Sequence, residues 1–512
     1  MIKRFIAVLF LAHVLFPSFG QTDTVPTPQW RPVYHFTPLK NWTNDPNGLL
    51  YIDGTYHLYH QYNPFENKWG HMSWGHATSK DLLHWRHLPV AMEEIVTPDT
   101  ISIFSGSAVW DHNNSSGLCK AEGCMIAIFT GNHSLRKEKQ YISYSNDTGR
   151  TFTFYDKNPV IDLNKKDFRD PSVFWYEKGK YWLMTVALPT EHKISFYRSS
   201  DLKDWTHLSD FGPEGYAKNV WECPFLIRLP VDGSDDNMKW VLVLSTGGPK
   251  GGPSMQYFVG NFDGEKFTSD HSTDTMSFVD YGDSFYAAIP WNGLPGDNKT
   301  FIGWLVPGPQ QTHPWKGQMS IPRDLSLKTT SAGIKLIQTP AAVIKNSLGQ
   351  LVRQKPLLRK NIKVADREIN IRKPGQRNQN AYWLEAAIDM GTAAEFGLKV
   401  ASNKKDDETV ITYDRSLRKL VVDRSKSPNG EIREGREKQD VNVIGSGNEI
   451  RFEILVDNSS LEIFVNDGEE VLTTLVFPGE GASGLSLFAS GGQANVEELK
   501  VWDMSSLKPS AL

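Results

Sequence analysis

Ser79-Lys-Asp-Leu-Leu-His-Trp85 and Ser199-Ser-Asp-Leu-Lys-Asp-Trp205 are two copies of one pattern. Looser copies stand at Ser145-Asn-Asp-Thr-Gly-Arg-Thr-Phe152 and Asn261-Phe-Asp-Gly-Glu-Lys-Phe267. The shared Asp falls at 81, 147, 201 and 263, so the copies are 66, 54 and 62 residues apart. Each reads as a polar turn followed by an aromatic that plugs between neighbouring sheets. Strand-like runs lie between them, such as Gly54-Thr-Tyr-His-Leu-Tyr-His-Gln-Tyr62 and Lys239-Trp-Val-Leu-Val-Leu-Ser245, rich in β-branched and aromatic residues. Long helical periodicity is scarce. A repeat near sixty residues made of short strands predicts propeller blades of four strands, and about 300 residues then makes five blades.

A second set of segments keeps step with the first. These are Asn44-Asp-Pro-Asn-Gly48, Phe104-Ser-Gly-Ser107, Phe168-Arg-Asp-Pro171, Trp221-Glu-Cys-Pro224 and Phe285-Tyr-Ala-Ala288. Taking Asp45, Ser105, Asp170, Glu222 and Tyr286, the steps are 60, 65, 52 and 64. If each blade starts at the axis and ends at the rim, all five segments lie near the central channel. Carboxylates far apart in sequence then converge on one funnel.

That convergence fits the cleavage of a glycosidic bond. Such cleavage needs an acid for the leaving oxygen and a carboxylate to attack the anomeric carbon or activate water. Asp45 is expected to attack, ionised by hydrogen bonds from a Pro-Asn-Gly turn at its strand end. Glu222, between Trp221 and Cys223, is expected to be the general acid. Asp170, beside Arg169, reads as a fixed carboxylate that grips sugar hydroxyls in the transition state. Taken singly, each motif is an ordinary turn. Their occurrence one per repeat, in the same phase, favours a site.

After about residue 340 the character changes. Alternating strands such as Glu449-Ile-Arg-Phe-Glu-Ile-Leu-Val456 and Ser460-Leu-Glu-Ile-Phe-Val465 are closed by the hairpin turn Asn466-Asp-Gly468. The chain is therefore divided into a propeller at 29–342, a linker at 343–354 and a β-sandwich at 355–508, an all-β architecture.

The net charge of −4, from 55 basic and 59 acidic residues, offers no basic block for nucleic acid. Residues 1–20 read as an export signal: Lys3 and Arg4, an apolar run from Phe5 to Phe16, then small Ser18 and Gly20 before Gln21. A secreted or periplasmic protein without a membrane anchor is expected. Cys119 and Cys124 could form a loop disulfide or remain free thiols. The His-dense first blade, with His57, His60, His71, His76, His84 and His87, lacks compact ligand spacing and reads as packing, so no metal or cofactor is expected.

These residues resemble glycoside hydrolase family thirty-two, the invertases, inulinases and levanases. The matching segments are Trp42-Thr-Asn-Asp-Pro-Asn-Gly48, Gln61-Tyr-Asn-Pro64, Trp69-Gly70, Trp74-Gly-His-Ala77, Phe104-Ser-Gly-Ser107, Phe168-Arg-Asp-Pro171, Trp221-Glu-Cys-Pro224, Asp280-Tyr-Gly282 and Gln318-Met-Ser-Ile-Pro-Arg323, in family order. The resemblance implies a five-bladed propeller with a β-sandwich and hydrolysis with retained configuration. It implies Asp45 as nucleophile, Asp170 as transition-state stabiliser and Glu222 as acid/base. It places Asn44, Gln61, Trp69, Phe104, Ser105, Arg169 and Trp304 around a terminal fructose. It also implies the substrate, a fructan (levan or inulin) or sucrose, attacked from the chain end. Rivals on the same scaffold are a fructosyltransferase and a non-catalytic fructan-binding propeller. Two places depart from the family pattern: Ser284, preceded by Asp283, stands where Asp usually precedes Phe-Tyr-Ala, and Leu305-Val-Pro-Gly308 follows Trp304.

Overall fold

The computed structural model describes residues 29–507 apart from 97–98, 134–136, 297, 309–311, 352–354, 374–379, 404, 406, 428–434 and 445–446. The export signal read at 1–20 lies outside the described residues.

The Asp repeat forms the turn between the last two strands of a blade. Asp81 Oδ1 accepts from the backbone N–H of Leu83 and His84, at 3.0 and 2.8 Å. Asp201 and Asp263 do the same for the residues two and three further on, and Asp147 for those three and four on. The next residue is left-handed in every copy: Leu82, Thr148, Leu202 and Gly264 have φ of 66°, 60°, 63° and 112°. A side chain that satisfies the turn's own N–H groups holds this conformation in non-glycine residues. Trp85 and Phe267, which close two of the copies, are 3 % and 1 % exposed, as a plug between sheets requires.

Five inner strands surround the axis: β1 (Asn41–Ile52), β2 (Thr100–Trp110), β3 (Arg169–Tyr176), β4 (Glu222–Val231) and β5 (Phe285–Pro290). Each packs against the next, and β5 packs against β1, so the ring is closed. Three further antiparallel strands extend most blades outward, as in β1, Thr55–Tyr62, Ser73–Ser79 and Trp85–Met92. Blade five (β5, Thr300–Leu305, Arg323–Thr330, Gly333–Pro340) sends the short strand Trp315–Lys316 to pair in parallel with Asn41 and Trp42. That pairing ties the last blade to the first.

The sandwich has two six-stranded antiparallel sheets enclosing their own core of Leu, Ile, Val and Phe. Its hairpin turn carries Asn466, Asp467 and Gly468 at φ 48°, 60° and 87°, the left-handed turn that the sequence predicts. The stretch read as a linker is largely helix α1, Ala342–Leu351, whose Ile344 and Leu348 are buried. Its apolar residues are spaced four apart, which makes a linker into a packed helical face.

Candidate active site

All five inner strands carry a bulge at the same height. Register slips between Thr43 and Pro46, between Ile103 and Gly106, between Arg169 and Ser172, between Glu222 and Phe225, and between Tyr286 and Ile289. A bulge adds a residue to one strand and re-aims its side chain. Five bulges around one axis turn five sets of side chains into the channel. The Asn-Asp-Pro-Asn-Gly segment is therefore not a turn at a strand end; it is the bulged interior of β1. Pro46 has no N–H to give the ladder, and Gly48 at φ 52° lies so close to Tyr59 and Trp74 that a Cβ would sit 2.8 Å from both rings.

The bulges also correct the phase of the repeat. Arg169, Glu222 and Tyr286 are each the last residue paired before the slip, and each precedes a left-handed residue: Asp170 (φ 66°), Cys223 (φ 47°) and Ala287 (φ 52°). Glu222 is thus equivalent to Arg169, one residue off the alignment with Asp170 that the sequence steps give. Fixed sequence steps cannot show which residue of a bulge is the extra one.

The side chains form a connected set. Asp45 Oδ2 accepts from Ser105 Oγ at 2.7 Å, and its Oδ1 from Asn44 Nδ2 at 3.2 Å. Asn44 in turn accepts from Trp42 Nε1 at 2.9 Å, and Trp42 meets Trp304 edge-on at 5.9 Å. The Cys223 thiol, free and buried, lies 3.7 Å from Asp45 Oδ2 and 3.6 Å from Asp170 Oδ2. Asp170 Oδ2 also accepts the Cys223 backbone N–H at 2.9 Å. Glu222 takes one hydrogen bond on each oxygen, from Arg169 Nε at 2.9 Å and from Tyr286 Oη at 2.6 Å.

Burial lifts Asp45 above the ordinary Asp range; the Ser105 hydroxyl opposes it, and the nearby Glu222 charge adds to it. Burial and then Glu222 push Asp170 up to about 8, against the pull of Arg169. Arg169 pulls Asp170 toward the ionised form only through space. The Arg169 guanidinium bonds to Glu222, Glu138 and Asp167 instead. Burial keeps the Cys223 thiol and the Tyr286 phenol protonated, far above their usual ranges.

Of the expected pocket residues, Asn44, Ser105 and Arg169 touch the carboxylates directly. Gln61 is 2 % exposed and donates to the Ile103 carbonyl at 2.9 Å, which fixes blade one to blade two beneath Phe104. Trp69 stands at the mouth, 56 % exposed, with its ring 6.0 Å from Phe104. The buried Trp304 Nε1 has no hydrogen-bond partner among the described residues. Tyr286 and Glu138 are among the residues that touch site groups and carry no role in the sequence reading. Tyr286 stood in a quoted repeat segment and shares the register of Glu222. Glu138 lies outside every repeat segment, on the strand Glu138–Ser145.

Residues 35–340 match the Glycosyl hydrolases family 32 N-terminal domain, and residues 350–503 match the Glycosyl hydrolases family 32 C terminal. The chain belongs to glycosyl hydrolase family 32. It is accordingly a glycosidase, on a five-bladed propeller with a β-sandwich. A levanase of Bacillus subtilis is 40 % identical, over 98 % of this chain and 76 % of its own length. An extracellular exo-inulinase of Aspergillus niger is 36 % identical, over 93 % and 95 %. Among solved structures, the exo-inulinase of Aspergillus awamori superposes with a TM-score of 0.87 at 33 % identity, covering 93 % of this chain and 98 % of that one. A fructofuranosidase of Schwanniomyces occidentalis in complex with fructose gives 0.82 at 32 % identity, covering 92 % and 98 %.

Proposed function

We propose that this family member releases terminal β-D-fructose from fructans, levan or inulin, and from sucrose, with retained configuration. The observation that carries this reading is the meeting of Asp45 and Glu222 at one end of the channel, where the thiol of Cys223, next to Glu222, lies 3.7 Å from Asp45 Oδ2. Asp45 attacks the anomeric carbon of the bound fructosyl unit. Glu222 gives its proton to the leaving oxygen and then takes one from the water that releases fructose. Ser105 and Asn44 fix the Asp45 carboxylate. Asp170 grips sugar hydroxyls, and its bonds tighten as charge develops on the ring.

Attack from the chain end is supported by the floor of the channel. Asn292 Nδ2 donates to the carbonyls of Ala108 and Val173, at 2.8 and 3.0 Å, and its own carbonyl accepts the Tyr51 N–H at 2.9 Å. One residue on blade five thus ties blades two and three through its side chain and blade one through its backbone carbonyl. Blades drawn together there leave the carboxylates to be approached from the mouth, where Trp69 stands, which suits a terminal unit. The names of the relatives support a fructosyl substrate and a place outside the cell. Sugar release from sucrose, inulin and levan tests the reading. Free fructose from the first minutes is expected; a ladder of oligosaccharides would contradict attack from the end.

A further inference from the structure

Arg169 is shared among three carboxylates. Its Nε donates to Glu222, and Nη1 bonds both oxygens of Glu138 at 3.2 and 3.1 Å and Asp167 Oδ1 at 3.1 Å. Glu138 is only 5 % exposed and sits on blade two, away from the channel strands. Its Oε2 also accepts the Phe168 N–H at 2.7 Å, and its own N–H donates to the Lys165 carbonyl at 3.1 Å. It therefore braces the backbone immediately before Arg169 as well as the guanidinium itself.

We propose that Glu138 is a positioning residue for the acid/base step, which holds Arg169 against Glu222 while taking up part of its positive charge. This rests on the reading of Glu222 as acid/base. A guanidinium committed to Glu222 alone would favour its ionised form and leave it a poor proton donor. Sharing that charge with Glu138 and Asp167 weakens the hold of Arg169 on ionised Glu222. The groups facing Glu222 are Arg169 and Asp170 from blade three, Tyr286 from blade five, Asp45 from blade one, and its own chain neighbour Cys223. Those facing Glu138 are Arg169 and Asp167. Burial raises the Glu138 carboxyl and Arg169 opposes this.

The sign follows. Removing the Glu138 charge strengthens the hold of Arg169 on ionised Glu222, so Glu222 loses its proton at lower pH. In Glu138→Gln the alkaline limb of the kcat/KM profile on sucrose moves down by about one pH unit, a roughly tenfold loss on that limb. Fructosyl fluoride needs no protonation of its leaving group, so its bond-cleavage step keeps its rate. Glu138→Asp, which keeps the charge, returns the limb toward its original place. Asp167→Asn, at a partly exposed side chain, moves it the same way by less and carries the test if Glu138→Gln does not fold. An unmoved alkaline limb in a folded variant, or an equal loss on sucrose and fluoride, would overturn the proposal. Failure of the Glu222 assignment would show separately, as a Glu222→Ala enzyme that still hydrolyses sucrose normally.

Discussion

At Asp45, burial and hydrogen bonding pull in opposite directions. Burial favours the neutral acid, and the Ser105 hydroxyl and Asn44 amide favour the carboxylate that attack requires. Ser105→Ala removes one of the two bonds, so the Asp45 acidity falls and the acid limb of kcat/KM should move to higher pH, read from a pH series on sucrose. The coupled carboxylates at the site titrate together, so the limb belongs to the set and not to one residue. Loss of either reacting group should be far more costly. Asp45→Ala and Glu222→Ala should each lose at least about a thousandfold in kcat on sucrose. Azide should rescue each differently. Glu222→Ala should form fructosyl azide with retained configuration, through the enzyme ester; Asp45→Ala should form the inverted product, with azide entering directly. The same stereochemistry from both would count against the division of roles. Asp45, Asp170 and Glu222 were legible because each stands in a repeat segment. Glu138 was not, since its meaning comes only from a guanidinium reaching across from another blade.

At the scale of the strand, the bulges decide what faces the channel. The sequence announces the five segments, but it cannot assign the extra residue of each bulge, and that is why Asp170 and Glu222 read as equivalent when Arg169 and Glu222 are. The His-rich strands of blade one were legible as packing. His57 Nδ1 lies 3.1 Å from His76 Nε2, and the His76 ring stacks on Tyr59 at 4.1 Å. Burial first, with neighbouring positive groups second, lowers His57 and His87 to about 4 and His60 to about 3. In the unfolded chain these groups take protons below about 6.5. Their contribution to stability is therefore complete above 6.5 and is lost as the pH falls from there toward 4 and 3. The unfolding midpoint should drop over this window, and His60→Gln, if folded, should flatten the drop. A pH-independent midpoint between 6.5 and 4 would contradict the buried neutral histidines.

At the scale of the whole molecule, the two domains share one core and one buried charge cluster. The core under the propeller includes Trp383, Phe464, Leu475 and Met504 of the sandwich. Arg323, fully buried, bonds Asp280 at 3.0 Å on the propeller and Glu462 at 2.5 Å on the sandwich. His35 bridges Asp457 and Glu462; against burial, these two raise it to about 9. That contribution is complete below about 6.5 and is lost as pH rises through 9. Asp283, the departure noted beside Ser284, takes Arg424 of the sandwich at 2.7 Å and Thr474 at 2.9 Å. The Ser284 hydroxyl accepts the Leu475 N–H at 3.2 Å. The departure thus belongs to the domain junction. Arg323→Met would leave buried Asp280 without its cation and Glu462 with His35 alone, at a cost of about 3–5 kcal/mol in an unfolding titration. The sandwich was legible as alternating strands, and its tie to the propeller was not, because each bond in it spans more than a hundred residues. Cys119 and Cys124, open between bond and thiols in the sequence, are joined in a disulfide.

In the proposed mechanism Asp45 forms the bond to fructose and Glu222 manages the proton. Glu222→Ala enzyme, mixed with fructosyl fluoride and quenched early, tests it most directly by peptide mass spectrometry. The account predicts one fructosyl unit on the peptide that contains Asp45, absent from the Asp45→Ala, Glu222→Ala double variant. A fructosyl unit on Asp170 or elsewhere, or turnover with no adduct at any time, would contradict it.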